Sequence, residues 1–281
     1  QKIGKEIRDK VDGKTLFDEF SRGRYSTDAS VYQIKPLGVV LPTDTNDVLS
    51  LMEYSQKNSV PLLARGGGSS QCGQTVGESV VLDYSKHQNK ILELNVEEKY
   101  VWVQPGVVLD HLNAYLKPHG LWFPVDVSTS SRATIGGMSA NNSCGSRSLY
   151  YGNMVHNVLA IEAILDDGSI FNFDQINKNY LATKNNQDRL YKIIDKFIDV
   201  RQQVGGEIDA NWPTTQRRVG GYNIDLIDPE GFNSSNLLVG SEGTLSLFNK
   251  IKLKLSKIPE NKILGVCYFD NFHQAMELSK E

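Results

Sequence analysis

Apolar positions at Val48, Leu51 and Met52 recur at helical spacing behind the capping run Thr43-Asp44-Thr45, which predicts an amphipathic helix over 45–58. Short apolar runs flank it, 36–41 before and 60–64 after, so the chain opens as strand, helix, strand and then a glycine loop. Val80-Val81-Leu82-Asp83 reads as a short buried strand, and 91–95 and 100–104 as paired strands about the charged turn Glu97-Glu98-Lys99. Val108, Leu112, Tyr115 and Leu116 mark a second amphipathic helix, stopped by Pro118 and Gly120. Residues 155–165 read as one long strand, turned by a type I′ Asp167-Gly168 hairpin into a return strand with Ile170, Phe171 and Phe173. A helix follows over 185–204, with Leu190, Ile193, Ile194, Phe197 and Val200 on one face. Leu237-Leu238-Val239 reads as a strand, and Ile251, Leu253 and Leu255 alternate with Lys250, Lys252 and Lys254 in a half-buried one. Beyond Pro259 come a strand over 263–269 and a helix over 271–281, while 1–28 reads as a polar surface lead-in with a short amphipathic piece at Leu16, Phe17 and Phe20. The pattern is α+β, in two lobes that each carry a glycine-rich loop, followed by the start of a further unit.

Composition narrows the possibilities. The chain has 281 residues, 40% of them hydrophobic, and a net charge of −3, so it has material for a large core and no electrostatic case for nucleic acid or an anionic membrane surface. No stretch has the apolar length of a membrane span, and the N-terminus lacks a signal-peptide pattern. Cys72, Cys144 and Cys267 are sparse and odd in number, which argues against a disulfide framework and for a reducing compartment. Chain limits at Gln1 and inside a helical pattern are read as those of a piece of a longer protein.

The chemistry concentrates in two stretches. Arg65-Gly66-Gly67-Gly68-Ser69-Ser70 follows a strand directly, so backbone amides converge there beside two hydroxyls and a cation, the composition of a phosphate cradle. Thr134, Gly136, Gly137, Ala140, Asn141, Ser143 and Gly145 repeat the theme. Neither stretch is a G-x-G-x-x-G or a P-loop. His111 and His119 have no carboxylate or thiol partner at metal spacing, and no metal site is predicted. Arg217-Arg218-Val219-Gly220-Gly221-Tyr222-Asn223 forms a cationic loop; alone it reads as a solvated surface.

In order along the chain, Arg-Gly-Gly-Gly-Ser-Ser at 65–70, Gln74, Val-Val-Leu-Asp at 80–83, Val-Gln-Pro-Gly at 103–106, Phe-Pro-Val-Asp at 123–126, Ala-Thr-Ile-Gly-Gly-Met at 133–138, Asn-Asn-Ser-Cys-Gly at 141–145, Tyr-Gly at 151–152 and Gly-Ser-Glu-Gly-Thr-Leu at 240–245 resemble one family. This is the FAD-binding domain of the vanillyl-alcohol oxidase / p-cresol methylhydroxylase flavoproteins, nearest its D-lactate, glycolate and D-2-hydroxyglutarate dehydrogenase branch. The resemblance covers about 32–258. It implies a two-lobed α+β fold with FAD between the lobes: lead-in 1–31, first lobe 32–104, second lobe 105–259, and the first elements of a truncated cap domain at 260–281.

The resemblance also implies roles. The 65–70 loop would hold the FAD pyrophosphate, with Gln74 nearby; Pro124, Asp126, Ser128 and Thr129, with 134–143, would line the flavin and ribityl side. Gly145, Tyr151 and Gly152 would close around the dinucleotide, Val158 to Ile161 would pass the adenine, and Glu242 and Gly243 would complete the wall. Ser69 and Ser70 stand where many family members tether flavin through a histidine, so FAD is expected without a covalent bond, and Cys72 and Cys144 as small buried residues. The implied activity is oxidation of a D-2-hydroxy acid by hydride transfer to FAD, in the cytoplasm or peripherally at the membrane's inner face. Arg217 or Arg218 would grip the substrate carboxylate, and Tyr222 and Asn223 would reach its hydroxyl. The general base, and an iron–sulfur cluster as in large fused dehydrogenases, would lie in the missing remainder. An oxidase of the same fold acting on an alcohol, sugar or phenol, and a flavin-binding module without turnover, remain as alternatives.

Overall fold

The computed structural model describes residues 2–177, 188–215, 217–261 and 263–279. Its strands in chain order are β1 (Lys14–Leu16), β2 (Gly38–Leu41), β3 (Leu62–Arg65), β4 (Val80–Asp83), β5 (Ile91–Asn95), β6 (Tyr100–Val103), β7 (Leu121–Trp122), β8 (Val158–Ile164), β9 (Ile170–Phe173), β10 (Gln175–Asn177), β11 (Gly231–Asn233), β12 (Leu247–Lys254) and β13 (Ser256–Lys257). The first sheet runs β1-β2-β4-β3, with β2, β4 and β3 mutually parallel and β1 antiparallel at the edge. Parallel neighbours need a crossover. The helix Thr45–Asn58 provides it between β2 and β3, capped by Asp44, whose carboxylate accepts from the amides of Asn46 and Asp47. Its buried Val48, Leu51, Met52 and Tyr54 pack with Val40, Val80 and Leu82.

The second sheet is antiparallel, in the order β5-β6-β12-β8-β9. Its middle strand places Ile251 between Val103 and Ile161, at the centre of a core that also holds Leu112, Phe123, Ile135 and Met154. β12 alternates as its lysines predict: Ile251 and Leu253 are fully buried while Lys250 and Lys252 are partly exposed. Ile164 and Leu247 of this sheet sit inside the first lobe's core, and the Thr45 hydroxyl donates to the Asn249 side-chain oxygen at 2.8 Å, so the lobes share a seam. No helix among the described residues is long and apolar enough to cross a membrane.

Several local expectations change. β5 and β6 belong to the second sheet, so the break between the sheets falls between Asp83 and Ile91 rather than at 104. The lead-in is part of the first lobe: β1 pairs with β2, and the buried Asp47 carboxylate accepts from the amides of Asp12 and Thr43. Those amides, with the Thr43 hydroxyl, satisfy a charge that would otherwise be costly to bury. Residues 154–157 form a short helix before β8, closed at its start by the Asn153 amide donating to His156 Nδ1 at 3.0 Å. The 167–168 hairpin exists, but only Gly168 has positive φ, at 81°, and Leu165 pairs with Ser169 around three residues. That is a type I turn closed by a left-handed glycine. Leu237, Leu238 and Val239 are buried, as a 3₁₀ turn (Ser234–Leu237) and its exit rather than a strand. Within 185–204 the helix is Arg189–Gln203, and 185–187 lie outside the described residues. Residues 263–269 form no strand and expose Ile263, Leu264 and Tyr268; the last helix is Phe272–Leu278, with 280–281 outside the described residues.

Candidate functional site

The carboxyl ends of the parallel strands β3 and β4 open onto the seam between the lobes, the usual crevice for ligands in such sheets. A cleft of about 540 Å³ lies there. Its first wall is the loop leaving β3. Gly66 and Gly67 lie against the second glycine stretch: a Cβ on Gly66 would stand 2.0 Å from the Thr134 hydroxyl, and one on Gly67 2.3 Å from the Arg132 carbonyl oxygen. The two loops therefore form one wall, and side chains are excluded where they touch. Gly68 turns out of the strand with φ 62°. The amides of Gly66 to Ser70 donate to no group among the described residues. A run of free amides at a strand end is what an anionic group can use.

The second wall is the helix Ile135–Asn141, which Thr134 caps by accepting from the Gly137 amide at 3.4 Å. Its first amides are already engaged: Ile135 donates to the Val107 carbonyl and Gly136 to that of Pro105, each at 2.8 Å. Of the two stretches, the first keeps its loop amides free, while the second has its leading helix amides engaged. Ser128, Thr129, Ala140, Asn141, Ser143, Glu242 and Gly243 also line the cleft. Glu242 has φ 52°, and its carboxylate accepts from Asn141 at 2.8 Å and from Gln74 at 3.3 Å.

The inner end is apolar, with Leu62, Ala64, Leu247 and Phe248. Two polar groups in that lining carry no partner among the described residues, the Tyr84 hydroxyl and the Ser246 hydroxyl, on side chains 5% and 9% exposed. Burial raises the Tyr84 pKa, so it stays protonated. An unsatisfied buried hydroxyl costs on the order of 1–3 kcal/mol, which a ligand with matching polar atoms would remove. The sequence reading missed both residues. The available signal was position, since Tyr84 directly follows the all-buried β4.

Other predicted residues have different work. The Arg65 guanidinium donates to the carbonyls of Thr27 at 2.7 Å and of Tyr25 and Thr75 at 3.2 Å, so it braces the loop from behind although it borders the cleft. Asp126 accepts from the Ser146 hydroxyl and the Arg147 amide, both at 3.0 Å, and Gly145 packs against it; the pair fixes a turn outside the cleft lining. Pro124, Val158 and Ile161 are buried, the last two in the second core. Tyr151 makes an edge contact with Trp122 at 5.3 Å, and Gly152, φ 77°, lies against His156. Burial, and then the Arg218 charge, lower the His156 pKa, favouring the neutral ring whose Nδ1 accepts from the Asn153 amide.

The four substrate candidates separate. Arg217 lines the cleft. Arg218 instead pairs with Asp225 at 2.5 Å and stacks over Trp212, and Asn223 is buried with its amide donating to the carbonyls of Val239 and Asn236. Tyr222 is half-exposed with its hydroxyl 2.8 Å from that of Thr244. The cysteines are unpaired, and neither cleft thiol is the small buried residue expected: Cys72 is exposed and Cys144 half-buried on the cleft wall. Among the described residues no cluster of histidine, cysteine or carboxylate side chains has metal-holding geometry.

The residues fit a dinucleotide: an amide cradle, an apolar inner end, and two orphaned hydroxyls within it. Comparison with known proteins agrees. Residues 36–174 match the FAD binding domain family. The chain is 34% identical over 264 residues to D-2-hydroxyglutarate dehydrogenase of Haemophilus influenzae, covering 89% of this chain and 25% of that protein. It is 28% identical over 258 residues to a probable mitochondrial D-lactate dehydrogenase of Danio rerio, covering 91% of this chain and 42% of that one. The fold matches a solved alkyldihydroxyacetonephosphate synthase with a TM-score of 0.62 at 19% identity, over 88% of this chain and 38% of that one. The chain thus spans about a quarter of the length of the bacterial relative.

Proposed function

We propose, from the match of residues 36–174 to the FAD binding domain family, that the cleft holds FAD non-covalently in a protein that oxidises a D-2-hydroxy acid. The substrate is of the D-2-hydroxyglutarate or D-lactate type, two of the activities named among the relatives. The run of unpaired amides from Gly66 to Ser70 is the observation that carries the reading. They take the pyrophosphate, Leu62, Ala64, Leu247 and Phe248 shelter the rings, and Tyr84 and Ser246 offer their hydroxyls to ring or ribose edges. Bound FAD supplies a hydride acceptor; the chain's own part is to hold it, keep water from the inner end and orient the substrate. Arg217 takes the substrate carboxylate, because Arg65 and Arg218 are held by other partners. A cytoplasmic setting goes with this reading.

An absorbance spectrum before and after acid precipitation tests the cofactor. Flavin bands that pass into the supernatant are expected; colour kept in the pellet points to a covalent link at Cys72 or Cys144, and rapid reoxidation by O₂ points to an oxidase. A colourless chain that takes up no added FAD removes the proposal.

For the substrate, Arg217→Met in the full-length enzyme is expected to raise KM about 10- to 100-fold, the range of a charge-assisted hydrogen bond of roughly 1.5–3 kcal/mol. Arg218→Met should leave KM near its starting value and lower thermal stability through loss of the Asp225 pair and Trp212 stack. An unchanged KM in Arg217→Met removes that assignment.

A further inference from the structure

At the mouth of the cleft a chain of hydrogen bonds joins loops far apart in sequence. The Ser70 hydroxyl donates to the Gln74 side-chain oxygen. The Gln74 amide donates to Glu242 Oε1 at 3.3 Å, Asn141 donates to the same oxygen at 2.8 Å, and the Ser143 hydroxyl donates to Asn141 at 3.1 Å. Gln74 comes from the first lobe, and Asn141 and Glu242 from the second. One carboxylate oxygen therefore receives both sides of the cleft.

The backbone is shaped for this. Glu242 has φ 52°, a region that side chains other than glycine, asparagine and aspartate seldom adopt, and its amide donates to the Ala140 carbonyl at 2.9 Å. Gly243 follows with φ 75° and open space around it. An outlier held this firmly at a ligand cleft points to a function for the side chain it aims. A carboxylate beside an anion cradle would otherwise repel the group the cradle attracts. Two donors fixed on its oxygen hold its charge between the lobes.

We propose that Glu242 is a clasp: a positioning residue that closes the two lobes over bound FAD and sets how slowly the cofactor leaves. This rests on the reading of the cleft as an FAD site. The role needs an acceptor at that point and no net charge. It follows that Glu242→Gln keeps the clasp, since its amide oxygen accepts from Gln74 and Asn141, and that Glu242→Ala and Glu242→Gly lose it. The glycine variant also relieves the positive φ, so backbone strain and clasp separate.

The test is the FAD dissociation rate of the full-length protein, followed by flavin fluorescence with an excess of a competing apo-flavoprotein as trap. Glu242→Ala and Glu242→Gly are expected to release FAD about tenfold faster, with the association rate within about twofold, the scale of losing two hydrogen bonds seen in an off-rate. Glu242→Gln should stay within about twofold of the unsubstituted protein, and the FAD-free form of Glu242→Gly should melt higher than that of Glu242→Ala, because glycine relieves the positive φ while both lose the clasp. Gln74→Ala with Asn141→Ala should reproduce Glu242→Ala and add little to it, as members of one network do. Release from Glu242→Ala within twofold of the unsubstituted protein overturns the clasp, as does Glu242→Gln releasing as fast as Glu242→Ala. Failure of the unsubstituted protein to take up FAD overturns the cleft reading, and it is seen before any substitution is made.

Discussion

Gly67→Ala is expected to weaken FAD binding by more than about 100-fold while the two sheets stay folded. The added Cβ would stand 2.3 Å from the carbonyl oxygen of Arg132 and 3.0 Å from its carbon. Backbone cannot rotate out of the way as a side chain can, so the two loops must part. Overpacking of this kind costs about 1–3 kcal/mol by itself. Parting the loops also re-aims the free amides of Gly66 to Ser70, and each hydrogen bond to a charged group is worth about 1.5–3 kcal/mol. Two misaimed amides account for the 100-fold. Titration of flavin fluorescence gives the affinity, and far-ultraviolet circular dichroism checks the fold. Gly206→Ala is the control: outside its chain neighbours and its own helix backbone nothing lies within 4 Å of an added Cβ, and at the start of the helix Gly205–Asn211 it should bind FAD normally and lose no stability. Binding by Gly67→Ala within about threefold of the unsubstituted protein would show that the loop yields, and the amide cradle would no longer account for the cofactor.

The legibility of these loops in the sequence divides along physical lines. A strand that ends in three glycines and two hydroxyls declares bare backbone at one point, and that much the residues say directly. The helix Thr45–Asn58 and the alternation in β12 were equally open, because their apolar periods reflect burial on one face. Sheet membership was not. β5 and β6 read as a hairpin either way, and only the long-range pairing of Val103 with Ile251 assigns them to the second sheet. Residues 263–269 have the composition of a strand and expose it, since composition states what a segment can pair with and not whether a partner is present.

Side-chain roles were hidden for a related reason. Arg217 and Arg218 are neighbours of the same chemistry, and what separates them is Asp225 and Trp212, which the fold brings to one and not the other. Tyr84 and Ser246 carry no motif; they matter because their hydroxyls are left unpaired in an apolar cleft. Glu242 was legible as part of a wall, but its clasp depends on Gln74 and Asn141, 168 and 101 residues away.

Arg65 borders the cleft but is engaged by backbone carbonyls, and its substitution should have the second large effect. Its guanidinium donates to three backbone carbonyls, those of Tyr25, Thr27 and Thr75, and its centre lies 5.3 Å from the Tyr25 ring. The Tyr25 hydroxyl in turn donates to Asp83 at 2.6 Å, and burial, then that carboxylate, raise the tyrosine pKa. One planar cation thus ties the lead-in, the glycine loop and the end of β4 together. Arg65→Met leaves those carbonyls without their donor and the two nearby carboxylates, Asp28 and Asp83, without its charge. The expected loss is about 1.5–3 kcal/mol, the scale of charge-assisted hydrogen bonds made by a half-buried arginine. A domain of ordinary stability has only about 5–15 kcal/mol in total, so the midpoint of chemical denaturation should fall sharply in the FAD-free form. Arg65→Lys should fall between, because a lysine supplies the charge without the planar fork that reaches three acceptors. The cofactor-free form decides the assignment. If Arg65 acted chiefly by touching the phosphates, Arg65→Met would lose FAD affinity and leave the FAD-free protein as stable as before. The bracing geometry requires the stability of the empty protein to fall first, with the affinity following because the loop it supports has lost its footing.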